Sequence, residues 1–323
     1  MGYAKLVYIR IEKSISLFSG FRTTTIRSIN MSNSKSKNLK SMRIGVTGAS
    51  GFIGTHLLSA LKNRGEVVTL SLRKELPGKK ELKQFVADTD LIFHLGAVNR
   101  GADEEVLTGN ILSTSRLLES IANDGKPSAR IIFASSAQVY SWVNCKASIR
   151  ETRRTNPDTA YGIGKQSAEN LISNSGIPFV ILRMSNVYGP GCRPNYNSVI
   201  PTLCNRVIKD LPLVISGDGK QCRDFVYIED VVQAFMLAGF ESVTDSGKIY
   251  NVSSGKMVSL KQIVKLIGRF HKNTKVEFLM DKKNSEISYC CDPSKFSKKY
   301  GWRPRVSLAK GIEQNLSYFR GRK

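Results

Sequence analysis

A chain of 323 residues, 41% hydrophobic and 23% charged, is long enough to bury a substantial core in one large domain or two fused ones. No stretch approaches the roughly 18 uninterrupted apolar residues that a membrane-spanning helix needs, so no membrane span and a cytoplasmic protein are expected. The formal charge of +23 invites a nucleic-acid reading, but part of it is terminal and no aromatic-rich RNA motif accompanies the rest, so no nucleic-acid partner is expected.

Residues 1–40 hold eight Lys/Arg against one acid, Glu12, among Ser, Thr and scattered apolar residues. Such a segment does not pack, and residues 1–41 are read as a disordered N-terminal extension. An acid-poor extension bearing Arg and Ser is one form of organellar transit peptide. The preferred alternative is a start at Met42, with Met31 less favoured, because the first strand begins at Met42-Arg43-Ile44-Gly45-Val46. The six cysteines, Cys145, Cys192, Cys204, Cys222, Cys290 and Cys291, form no Cys-x-x-Cys pair and join no histidine group at metal-ligand spacing. Free thiols in a reducing cytoplasm and no metal are expected.

From Met42 onward short apolar runs alternate with segments of helical period, the pattern of a parallel sheet covered by helices on both faces. Strands are expected at 44–47, 67–70, 91–95, 131–134 and 180–182, each apolar on both faces as buried parallel strands are. Helices are expected at 52–63, 104–123 and 160–173. After about residue 185 the texture changes to Gly-, Pro- and Asn-rich turns with further helices and short strands. The expected organisation is thus a doubly wound parallel sheet over 42–185 and a smaller substrate-binding lobe over most of 186–323.

The first strand runs into Gly48-Ala49-Ser50-Gly51-Phe52-Ile53-Gly54, glycines at intervals of three directly before a helix. Gly48 permits a tight turn, Gly51 lets the backbone approach a pyrophosphate and Gly54 lets the helix pack on the strand. Ser50, Phe52 and Ile53 lie where the helix N-terminus offers its unpaired N–H groups and positive dipole end. This strand-turn-helix setting is that of a Rossmann dinucleotide site, so NAD or NADP is expected. The acid that usually meets the adenosine ribose of NAD is missing. The second strand ends Leu70-Ser71-Leu72-Arg73-Lys74, and Arg73 with Lys74 would meet the 2′-phosphate of NADP.

The strand at 131–134 delivers Ser135-Ser136-Ala137-Gln138-Val139-Tyr140, and 25 residues after Ser136 comes Tyr161-Gly162-Ile163-Gly164-Lys165. Tyr and Lys four apart on a helix share one face. The phenol of Tyr161 titrates near pH 10 unperturbed and must be lowered to act at neutral pH, which the Lys165 ammonium and a positive nicotinamide ring both do. Tyr161 would exchange a proton with a substrate hydroxyl or carbonyl, Ser136 would hold the same oxygen, and Lys165 would also bond the cofactor ribose.

With these motifs the chain resembles the extended short-chain dehydrogenase/reductase family, often called the NAD-dependent epimerase/dehydratase family. The resemblance runs from Met42 to the C-terminus and includes Phe93-His94-Leu95-Gly96-Ala97, Asn110-Ile111-Leu112-Ser113-Thr114, Ser136, Tyr161 and Lys165. It also includes Arg183-Met184-Ser185-Asn186-Val187-Tyr188-Gly189-Pro190-Gly191, Arg223-Asp224-Phe225-Val226-Tyr227 and Tyr250-Asn251-Val252. It implies that Leu95, Ala97 and Asn110 belong to the cofactor site, that Asn186 and Arg223 contact a substrate diphosphate, and that the substrate is a nucleotide sugar. Asn197 is carried over as a further substrate residue. The competing reading of Arg223 is a structural pair with Asp224 or Glu229. The resemblance also implies a homodimer formed through the helices 104–123 and 160–173.

Dehydratases of the family carry an acidic pair directly after the active-site Ser or Thr, and the related decarboxylases carry a glutamate there. Here those places hold Ala137 and Gln138, which can act neither as acid nor as base. Two reactions remain, a 4-epimerase passing through a 4-keto sugar and an NADPH-dependent 4-keto reductase. The family's common assignment and the complete C-terminal lobe favour the epimerase. Arg73, the short stretch 73–90, and Arg193-Pro194-Asn195-Tyr196-Asn197-Ser198-Val199-Ile200, similar to a segment of capsule-forming reductases, favour the other. The expectation taken forward is the epimerase. A non-catalytic nucleotide sensor is disfavoured because both Tyr161 and Lys165 are intact.

Overall fold

The computed structural model describes residues 42–71, 78–140, 148–196, 198–241, 246–272, 274–279 and 288–322. The extension 1–41, Arg73, Lys74, Cys145 and Asn197 lie outside the described residues.

The five expected strands are β1 (Arg43–Thr47), β2 (Glu66–Leu70), β3 (Leu91–His94), β4 (Arg130–Ser136) and β5 (Phe179–Met184). Between them run α1 (Phe52–Ala60), α2 (Lys79–Val86), α3 (Asp103–Asp124) and α4 (Ala160–Ser173). The chain continues through β6 (Asn186–Tyr188), α5 (Val199–Ile208), β7 (Leu213–Ser216), β8 (Cys222–Arg223), β9 (Phe225–Tyr227) and α6 (Ile228–Phe240). It ends with β10 (Lys248–Val252), β11 (Val258–Ser259), α7 (Leu260–Phe270), β12 (Val276–Leu279), α8 (Ser294–Tyr300) and α9 (Leu308–Arg320).

Six strands form one parallel sheet in the order β10-β5-β4-β3-β1-β2. Because successive side chains point to opposite faces, each strand feeds two cores. Ile44, Val46, Leu91, Phe93, Ile132 and Leu182 pack against Leu57 of α1 and Val231, Ala234 and Phe235 of α6. Val68, Ile92, Ile131, Phe133 and Ile181 pack against Phe85 of α2, Leu117 and Ile121 of α3 and Ile172 of α4. The fold is therefore a doubly wound Rossmann-type α/β sheet.

Several details differ from the sequence reading, among them α2 (Lys79–Val86), where no helix was expected. The first helix stops at Ala60 instead of residue 63, because Asn63 turns into the left-handed region at φ 66° and Gly65 follows at φ 147°. The chain beyond residue 185 also returns to the main sheet, supplying its edge strand β10 and the covering helix α6. Among the described residues no helix is long and apolar enough to cross a membrane.

Candidate active site

At the end of β1 the chain turns through Gly48 at φ +67°, and a Cβ there would lie 2.7 Å from both N and Cα of Gly96. A Cβ on Gly54 would lie 2.3 Å from the Gly48 carbonyl oxygen, so only glycine lets α1 seat directly on the turn. Gly51 precedes α1 in extended conformation, no side chain caps the helix and its first turn contains no acid. The Gly51 N–H closes the turn onto the Gly48 carbonyl (2.9 Å), and the leading N–H groups of α1, at Phe52 and Ile53, face the positive dipole end where an external acceptor can take them. This cradle fits the pyrophosphate of a dinucleotide.

A buried polar chain fixes the neighbouring loop after β3. The Gly96 N–H donates to Thr47 Oγ1 (3.0 Å), whose hydroxyl meets His94 Nδ1 (2.8 Å). His94 Nε2 meets Thr114 Oγ1 (3.1 Å), and Thr114 donates to the Asn110 carbonyl (2.8 Å). These directions are mutually consistent with one neutral His94 tautomer carrying its proton on Nε2. Burial, with the Lys165 charge in support, lowers the His94 pKa to about 3. Asn110 clasps the same loop, its amide donating to the Val98 carbonyl (2.6 Å) and its oxygen accepting from the Val98 N–H (3.3 Å). Asn110 thereby holds the loop that carries half-buried Leu95 and exposed Ala97.

Ser136 ends β4, and its hydroxyl accepts from the Gln138 N–H (3.1 Å). Tyr161 and Lys165 project from the first turns of α4, which Thr159 caps through its bond from Gly162 N–H (3.0 Å). Lys165 is buried; its Nζ donates to the Ala134 carbonyl (2.7 Å) and lies 4.6 Å from the Phe133 ring centroid and 5.8 Å from that of Tyr161. In the protein alone, burial dominates both groups. It lowers the Lys165 pKa to about 7, opposed by Glu169, and raises that of Tyr161 to about 12, aided by Tyr196. In the protein alone burial holds the Tyr161 phenol up; the expected lowering invoked Lys165 together with a positive nicotinamide ring.

One turn beyond Lys165, Glu169 accepts a bidentate pair from Arg183 of β5, with Nη2–Oε2 at 2.6 Å and Nε–Oε1 at 3.0 Å. The Ser135 hydroxyl also donates to Glu169. Arg183 Nη1 donates to the Tyr140 hydroxyl (3.0 Å), which donates to Asn251 Oδ1 of β10 (2.8 Å). This network sets α4 against β4, β5 and β10. Its sequence signal was the 161, 165, 169 spacing on one helical face.

Beyond residue 185, Asn186 of β6 donates through its amide to the Asp224 carbonyl and to the Tyr289 hydroxyl, both at 2.8 Å. Arg223 lies 5.8 Å from the Tyr289 ring centroid and donates to the Cys222 carbonyl (3.0 Å). Asn186 and Arg223 thus converge on Tyr289, a residue the sequence reading missed. The Asp224 carboxylate accepts from Ser185, Ser254, Gly255 and Cys291, a closed set that leaves it a scaffold role.

Two loops meet above these groups. His56 Nε2 of α1 bonds the Pro190 carbonyl (2.9 Å), tying the loop after β6 to the glycine-turn helix. Farther along that loop the Tyr196 ring lies 5.4 Å from the Arg100 guanidinium, which belongs to the loop after β3.

The sequence profile of the NAD dependent epimerase/dehydratase family matches residues 44–253. The UDP-2-acetamido-2,6-beta-L-arabino-hexul-4-ose reductase of Pseudomonas aeruginosa is 34% identical over 200 residues, covering 60% of this chain and 49% of that protein. The UDP-N-acetyl-alpha-D-glucosaminuronate decarboxylase of Bacillus cytotoxicus is 27% identical over 315 residues, covering 85% of this chain and 97% of that protein. Among solved structures, the UDP-glucuronic acid 4-epimerase of Bacillus cereus, in complex with UDP-glucuronic acid and NAD, is similar at a TM-score of 0.77 and 28% identity, covering 87% of this chain and 100% of that one.

Proposed function

The chain belongs to the NAD dependent epimerase/dehydratase family, and on that premise we propose that it is a 4-epimerase of a UDP-hexose, working through a transient 4-keto sugar. Its relatives are sugar-nucleotide epimerases, decarboxylases and reductases of the extended short-chain dehydrogenase/reductase type. The observation that carries the reading is Tyr161 and buried Lys165 on one face of α4, packed on the strand that ends in Ser136, with Ala137 and Gln138 where an elimination needs carboxyl groups.

When bound, NAD(P) supplies a reversible hydride acceptor at the sugar C4. Gly48, Ser50, Gly51, Phe52, Ile53 and Gly54 would hold its pyrophosphate, Leu95 and Ala97 would line its path with Asn110 fixing their loop, and Lys165 would reach its ribose. Tyr161 takes the proton of the C4 hydroxyl and later returns it, while Ser136 hydrogen-bonds the same oxygen. Arg223 would hold the diphosphate, with Asn186 joining it by turning an amide hydrogen away from the Tyr289 hydroxyl, an anchor about which the sugar would turn to present its other face. Asn197 and the ribose-side Arg73, outside the described residues, keep their roles as substrate and cofactor residues on sequence grounds.

A specific observation favours a second reading. The 34% identical Pseudomonas relative is a 4-keto sugar reductase, and Arg73 with Lys74 suits NADPH. Releasing the nicotinamide from purified, denatured protein separates the two. Retained NAD together with interconversion of UDP-glucose and UDP-galactose by NMR supports the epimerase. Protein free of cofactor that binds NADPH well above NADH overturns it in favour of the reductase.

We also place the working form as a homodimer through α3 and α4. Leu112 and Ile163, one on each helix, are both 40% exposed despite being large and apolar.

A further inference from the structure

The loop after β6 is held at several of its described residues. Its start is tied to α1 by the His56–Pro190 bond (2.9 Å). Its middle is fixed by Asn195, whose N–H donates to Thr202 Oγ1 (2.8 Å) from a left-handed backbone at φ 60°, a conformation asparagine tolerates. The next residue, Tyr196, is 41% exposed, unusual for a large aromatic outside an interface. It does not hang free. Its ring meets the Arg100 guanidinium at 5.4 Å, and after burial Tyr196 is a further cause that holds the Tyr161 phenol protonated.

Arg100 approaches from the loop that Asn110 clasps and that lies beside the glycine turn. The contact therefore bridges the cofactor side and the substrate side of the site, next to the proton-transfer group. An exposed aromatic face with a polar tip, held by a cation where the loops after β3 and β6 meet, suits a sugar, which offers both C–H faces and hydroxyls.

We propose that Tyr196 and Arg100 form the sugar clamp of this site, the Tyr196 ring packing on the hexose and its phenol bonding a sugar hydroxyl near the reacting carbon while Arg100 holds the ring in place. This rests on the nucleotide-sugar reading above. The clamp acts on the sugar and leaves the nucleotide to Asn186 and Arg223.

The test uses the full chain carrying Tyr161→Phe, so that substrate binds without turning over. Calorimetry measures UDP and a set of UDP-sugars (UDP-glucose, UDP-N-acetylglucosamine, UDP-glucuronate) with Tyr196 intact, Tyr196→Phe, Tyr196→Ala and Arg100→Ala. Tyr196→Ala is expected to weaken the best UDP-sugar about tenfold and leave UDP within about twofold, with Tyr196→Phe and Arg100→Ala in between. Equal UDP-sugar affinity in Tyr196→Ala overturns the clamp, and so does a parallel loss of UDP, which marks a structural residue. A parent that binds UDP but gains nothing from any attached sugar overturns the nucleotide-sugar reading itself.

Discussion

Tyr161 and Lys165 share one helical face, and burial drives both toward neutrality: the phenol up to about 12 and the amine down to about 7. The proton transfer proposed for Tyr161 would therefore need positive charge brought beside it, which would tie acid-base work to an occupied cofactor site. Replacing Tyr161 by Phe is expected to lower kcat by about 10²- to 10⁴-fold while nicotinamide content stays unchanged, and steady-state kinetics with absorbance of the bound cofactor checks both. His94 makes a separate, pH-linked prediction. Its folded-state pKa is about 3 against 6.5 unfolded, so below pH 6.5 the unfolded chain takes a proton that the folded chain refuses. Stability should fall as pH drops from 6.5 toward 3, by up to about 1.4 kcal/mol per pH unit from this group. Urea unfolding at pH 7 and pH 5 should show a smaller drop for His94→Asn than for the parent; equal drops would remove His94 from the account.

At the scale of elements, α4 is held by the Glu169–Arg183 pair, both side chains almost fully buried at 4% and 6% exposure. Removing one partner strands the other charge in the core, so Glu169→Gln should cost about 3–5 kcal/mol. Thermal and urea denaturation would register that loss, and an unchanged midpoint would show that the pair contributes nothing. The sheet strands could be read from sequence because parallel strands buried on both faces write themselves as apolar runs such as Ile44 to Val46 and Ile131 to Ala134. The glycine turn was legible because glycine answers a local steric demand, borne out by the contact that a Cβ at Gly54 would make. The partners of Glu169 and Asp224 were not legible. Which strand arginine or loop amide meets a buried carboxylate depends on register and helix docking, which no local periodicity encodes. Tyr196 was visible only as part of a segment similar to one in reductases, since its meeting with Arg100 joins loops far apart in the chain.

At the scale of the molecule, Leu112 and Ile163 give the dimer proposal a direct test. Sedimentation equilibrium should find a dimer for the parent and a shift toward monomer for Leu112→Arg combined with Ile163→Arg; an unchanged mass would place the interface elsewhere. The sheet itself has a consequence for biosynthesis. Its edge strand β10 pairs in parallel with β5, from Lys248 opposite Val180 to Val252 opposite Met184. A ribosome releases β5 long before β10 exists, and in that interval the nascent chain presents a bare apolar strand edge able to recruit another chain. Asn186 and Arg223, proposed above to hold the diphosphate, lie between those two strands and are drawn into place as the sheet completes. A chaperone that shields the β5 edge during that interval would raise the yield of folded protein without touching the site.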